Sequence, residues 1–183
     1  MILFDIIQSY IIKGAIILII LQAMFLLQGL LNEHTEKANL EGELSTTTFT
    51  FSSDMRQAGY NSSVTSFTIA ETSKVEVWAD INNDGSPDRV RYYLDLIPSS
   101  PKFYLKRTVN GGTALPAGRN FRKFYFMYFD SLGRSFGVPV HPDSLKYIKS
   151  LSIQAMMENS VMFHDDYLRS YWQAKIFPPT LNK

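Results

Sequence analysis

An unbroken apolar run near the start of the chain constrains its folding more than any other feature. From Gly14 to Leu31 no residue is charged, and Gln22 and Gln28 are its strongly polar positions. As a helix this run rises about 27 Å, close to the roughly 30 Å of bilayer hydrocarbon. Ile6, Ile7, Ile11 and Ile12 lengthen it toward the N-terminus. A cleaved secretory signal has a shorter apolar region and ends in a small-x-small site. Here the run ends in Leu30-Leu31-Asn32-Glu33-His34, with no such site. A helix apolar on nearly all sides is also hard to bury inside one small domain. The expectation is a single membrane-spanning helix. Lys13 precedes the run, and Glu33 and Glu36 follow it, with Lys37 beyond. That basic bias favours a cytoplasmic N-terminus and a periplasmic or extracellular remainder.

Beyond Leu31 the apolar pattern narrows to one stripe. Leu40, Leu44, Thr47, Phe51, Met55 and Ala58 recur at spacings of three and four, and Gly59 follows as a stop. This predicts an amphipathic continuation of the helix over 32–59. The competing element is a strand at 45–51, STTTFTF, where β-branched residues cluster. From residue 60 onward the period is two. Phe67/Ile69, Val75/Val77/Ala79, Val90/Tyr92/Leu94, Phe103/Leu105 and Leu151/Ile153/Ala155/Met157 alternate with residues of the other face. Asn83-Asp84-Gly85, Pro98 to Pro101, Asn110-Gly111-Gly112 and Ser131-Leu132-Gly133 separate the runs as turns. FRKFYFMYF at 121–129 is apolar on both faces, which predicts a central strand covered by the helix on one side and by loops or another subunit on the other. A last strand is expected at Tyr171 to Phe177, before Pro178-Pro179. The fold class is therefore α+β: one long helix, membrane-spanning in its first half (1–31) and packed by its second half (32–59) on an antiparallel sheet formed by 60–183.

The 183 residues carry a net charge of +1 and contain no Cys. The balance gives no reason to expect a nucleic-acid partner, and thiolate chemistry and disulfides are excluded. The sharpest local motif is Asp80-Ile81-Asn82-Asn83-Asp84-Gly85-Ser86-Pro87-Asp88. Oxygen ligands at alternate positions with Gly sixth resemble the start of an EF-hand loop, so Asp80, Asn82, Asp84, Ser86 and Asp88 are candidate Ca²⁺ ligands. Arg91 stands where that loop has its bidentate Glu. A plain Asn/Asp/Gly hairpin accounts for the same residues. His34, His141 and His164 are read as scattered surface residues. Lys102, Lys106, Arg107, Arg119, Arg122 and Lys123 are read as a solvated sheet edge. No nucleophile elbow, phosphate loop or HExxH motif is present, and no enzyme activity is expected.

Asp54-Met55-Arg56-Gln57-Ala58-Gly59-Tyr60 resembles the D-x-R-x-A-G-Y that ends the N-terminal helix of PilW-like minor pilins and related pseudopilins. The order downstream is similar as well: the D-x-N-x-D-G hairpin, Arg89 to Tyr93, Phe126 to Gly133, and Ile148 to Ile153. Met1-Ile2-Leu3-Phe4-Asp5 looks like the start of a mature pilin, with Asp5 where the family has Glu. The resemblance covers nearly the whole chain. It implies a pilin-like fold and a structural role in a type IV pilus or type II secretion-like filament. It makes other pilin or pseudopilin subunits the partners, with the inner membrane as host before assembly. Asp5 would pair with the amino terminus of a neighbouring subunit, and Asp5 and Lys13 are the candidate assembly residues. No Gly-ended leader precedes Met1, so either one lies upstream or the chain is an unprocessed member. A single-pass, non-polymerising binding module, with Ca²⁺ as its candidate cofactor, is the alternative function.

Overall fold

The computed structural model describes residues 2–62, 65–98, 100–163 and 165–179, with the backbone alone at 2–7. The chain divides into two compact units, 1–39 and 40–183. Helix α1 spans Ile2–Arg56. Strands follow at Phe67–Ala70 (β1), Lys74–Ala79 (β2), Asp88–Leu96 (β3), Phe103–Val109 (β4), Leu115–Phe129 (β5), Ser150–Phe163 (β6) and Asp166–Ile176 (β7), with a 3-10 helix at Pro142–Tyr147 between β5 and β6. The seven strands form one sheet in chain order, each antiparallel to the next. The α+β class therefore holds.

In unit 40–183 the predicted helical stripe is the buried one. Leu40, Leu44, Thr47, Phe51, Met55 and Ala58 are all buried. Each large apolar member contributes about 1.5–3 kcal/mol by leaving water. Phe51 lies at the centre, with its ring centroid 4.8 Å from Tyr92, 5.5 Å from Phe126 and 6.0 Å from Phe124. Burial settles the helix-or-strand ambiguity at 45–51 in favour of the helix. Thr46, Thr48 and Thr50 add hydroxyl bonds back to the carbonyls of Gly42, Leu44 and Thr46, four residues earlier.

The helix sits close to the sheet because Gly118 has no side chain. A Cβ there would lie 2.6 Å from Thr47 Oγ1 and 2.8 Å from the Phe121 ring. Thr47 Oγ1 uses the gap to donate to the Ala117 carbonyl at 2.8 Å. At the C-terminal end α1 stops at Arg56, two residues short of the predicted Ala58, because the last turn tightens. Gln57 and Ala58 N–H groups donate to carbonyls three residues back. Gly59, at φ +81°, then turns the chain and donates its N–H to Trp78 O at 2.7 Å.

β5 is an interior strand of the sheet, as expected, and one boundary changes. β5 buries Phe121, Phe124, Phe126 and Tyr128 on the helix side, but Lys123 on its other face is exposed and Tyr125, Met127 and Phe129 are half-buried. The last strand starts at Asp166 rather than Tyr171, because β6 runs on to Phe163 and pairs with it through Phe163↔Asp166.

Candidate functional site

Three features bear on function. The first is the apolar segment of α1. Among the described residues it is the one helix long and apolar enough to cross a membrane, with a mean hydropathy of 2.3 in its most apolar window and none of that window buried. Phe25 and Leu26 are 71% and 72% exposed. Left in water, such a surface is strongly unfavourable. Lys13 is exposed just before this segment, its Nζ 5.7 Å from the Tyr10 ring centroid. Asp5 falls in the backbone of α1, but its side chain lies outside the described residues.

The second feature is the junction at the end of α1, where the D-x-R-x-A-G-Y motif acquires a physical meaning. Asp54 is buried and its Oδ2 accepts two bonds of 2.7 Å, from Tyr92 Oη on β3 and Arg107 Nε on β4. Burial foremost, then the Asp54 charge, push the Tyr92 phenol well above its ordinary range. The phenol therefore stays protonated and remains the donor. Met55 and Ala58 fill the core beside it, and Gly59 makes the turn. The motif thus locks the helix end to the middle of the sheet.

The third is the Asp80 loop. Asp80 is fully buried and its two oxygens already accept from Asn61 Nδ2 (2.8 Å), Asp84 N (3.1 Å) and Gly85 N (3.0 Å). The Asn61 amide, opposed by desolvation and helped by the Gly85 and Asp84 N–H groups, holds this carboxyl below the usual carboxylate range. Asn82 Oδ1 accepts from Asp84 N, and Asp84 accepts from Asn82 Nδ2 and Ser86 N. Asp88 Oδ1 accepts from Asn110 Nδ2 on the neighbouring hairpin. Of the candidate Ca²⁺ ligands, Asp80, Asn82, Asp84 and Asp88 thus accept hydrogen bonds from protein donors, while Ser86 donates its N–H to Asp84. Among the described residues no group of three or more His, Asp or Glu side chains converges. Through Asn61 the loop also ties down the chain just after α1.

The basic stretch from Lys102 to Lys123 is not a sheet edge. It lies on β4, β5 and their flanks, in the middle of the sheet, and most of its cations are engaged. Lys102 is buried and its Nζ donates to the carbonyls of Glu158 and Asn159, beside the register shift between β6 and β7. Arg107 holds Asp54, Lys106 pairs with Asp95, Arg119 lies 3.5 Å from Glu43, and Arg122 donates to Pro101 O. Sequence patterning missed these roles because each partner lies in another element or loop of the fold. His141 caps the 3-10 helix, its Nδ1 accepting from Asp143 N, and His34 is exposed; His164 lies outside the described residues.

Compared with protein-family models the chain matches none, and no curated protein matches its sequence.

Proposed function

We propose that this chain is a non-enzymatic, membrane-anchored subunit of the minor-pilin or pseudopilin kind. The observation that carries the reading is the uncovered apolar segment at 14–31, in the same helix that supplies the core stripe of a sheet domain. Lipid covers the segment before assembly, and like segments of neighbouring subunits cover it in a filament. The D-x-R-x-A-G-Y lock at Asp54 supports the same reading, since it fastens the helix to the domain it carries. Asp5, at the start of the helix, would pair with the amino terminus of the adjacent subunit, and Lys13 would hold the N-terminal flank on the cytoplasmic side.

The chain has no Cys, so a single introduced cysteine is unique. Ile16→Cys or Leu27→Cys in full-length protein, expressed with the assembly system of its native host, should crosslink into ladders of several subunits under oxidation. Asp5→Ala should shorten or abolish the ladder while leaving membrane insertion intact. A monomeric product at both positions, in membranes and in sheared surface fractions alike, would refute polymerisation and leave the anchored binding module.

A further inference from the structure

The face of the sheet turned away from α1 carries a pocket that neither the anchor nor the helix lock uses. Its centre is β6, where Met156 and Gln154 form the floor; Met156 is only 7% exposed. The register places Lys123 and Tyr171 on either side of Met156, and Tyr125 and Gln173 on either side of Gln154. Tyr125 and Tyr171 therefore stand diagonally across the floor. Their strands are two spacings apart, roughly 9.5 Å. The pocket holds about 430 Å³, within the ordinary range of small-ligand sites, about 300–1,000 Å³. Side-chain pairs lie beyond the pocket in both directions along β6. Arg169 Nε meets Glu158 Oε2 at 2.9 Å at one end, and Lys175 Nζ sits 4.1 Å from the Phe129 ring centroid at the other.

We propose that this pocket binds an acidic hexose of a glycan, a uronic-acid-type unit. Two phenol rings offer apolar faces to the C–H side of a sugar ring. The amides of Gln154 and Gln173 each donate and accept, as sugar hydroxyls do. Lys123 has no hydrogen bond or ion pair among the described residues, so its ammonium is free for one carboxylate. The same census argues against a nucleic-acid strand, which needs a succession of free cations along its phosphates. On this face Arg169 is held by Glu158, Lys106 by Asp95, Arg91 by Glu76 at 2.6 Å, and Lys175 by the Phe129 ring. The inference is independent of whether the chain polymerises.

The test is titration of the full-length protein in a sugar-free detergent with trigalacturonate, maltotriose and a fifteen-nucleotide oligo(dT), read by calorimetry and by Trp172 fluorescence. Trigalacturonate should bind saturably, with a Kd below about 1 mM and at least tenfold below that of maltotriose. Tyr171→Ala should weaken it about tenfold or more, and Lys123→Gln should bring the acidic and neutral sugars within about threefold of each other. Tyr171 is 70% exposed and Lys123 is exposed, so both variants should melt like the parent. The proposal is overturned by no saturable trigalacturonate signal at millimolar concentrations. Undiminished binding in Tyr171→Ala, or oligo(dT) binding more tightly than the sugar, overturns it equally.

Discussion

Replacing Asp54 by Ala tests whether the helix end is held as described. The substitution removes one carboxylate and strands two donors. Tyr92 Oη is fully buried and loses the acceptor 2.7 Å away; an unsatisfied buried polar group costs about 1–3 kcal/mol. Arg107 loses its partner at 2.7 Å, but its side chain is 24% exposed, so water recovers part of that loss. Breaking a fully buried pair costs about 3–5 kcal/mol, and the exposure of Arg107 places this one at the lower end. The two losses share one site and do not add in full, giving a total of about 3–4 kcal/mol. Against a total stability of about 5–15 kcal/mol this is large. For a domain near 150 residues it lowers Tm by roughly 10 °C or more.

The assay is thermal unfolding of the full-length protein in detergent, followed by tryptophan fluorescence. Both tryptophans, Trp78 and Trp172, lie on strands of the sheet, so the signal reports that unit. Asp54→Asn retains an acceptor oxygen and should cost less than half as much. A Tyr92→Phe/Asp54→Ala cycle should show a coupling of at least about 0.5 kcal/mol. The reasoning fails if Asp54→Ala melts within about 2 °C of the parent, or if Asn costs as much as Ala.

Gly118→Ala should destabilise by about 1–3 kcal/mol through overpacking against Thr47 and Phe121; adding Thr47→Ala, which clears one of the two clashes, should return part of the loss in the same melt. Lys102→Met should cost about 1–3 kcal/mol in denaturant unfolding, because the buried carbonyls of Glu158 and Asn159 lose their donor. Asp80 and Asp130 both titrate below their unfolded value of 3.8. Their contribution is therefore complete above that value and is lost as pH falls through the lower folded values. Acid titration of stability should show this loss below about pH 4, and Asp80→Asn should flatten the limb; an unchanged limb refutes the assignment.

How much of this was legible beforehand depends on the range of the interaction. The stripe from Leu40 to Ala58 obeys a period that burial alone imposes, so each of its residues could be named from the sequence. The alternating strands and their Asn-Gly and Asp-Gly turns were equally local, and Asn83, Gly85, Asn110 and Gly111 do adopt positive φ. Partners separated in sequence were not legible. Arg107 reads as a surface cation until β4 is laid beside β3 under Asp54, 53 residues away. Gly118 reads as a weak spot in a strand until Thr47 is set against it. The pocket over β6 depends on three strands in register, and no one strand's pattern contains it. The Asp80 motif was legible as a motif, but its acceptors are engaged by N–H groups from Asn61 and from the turn, which only the folded chain brings together.

The meander has a consequence for the order in which the protein is made. Every strand pairs with its immediate successor, so the sheet can grow hairpin by hairpin as the chain emerges. The helix is different. Phe51 leaves the ribosome about 40 residues before Tyr92, the first ring to reach it, and about 70 residues before Phe124 and Phe126, which complete its enclosure. At roughly 5–20 residues per second that is about 4–14 s. Until the end of this interval the ring cluster around Phe51 is incomplete. Translation speed across 60–126, and any chaperone acting there, should therefore govern yield more than changes in the closing hairpin.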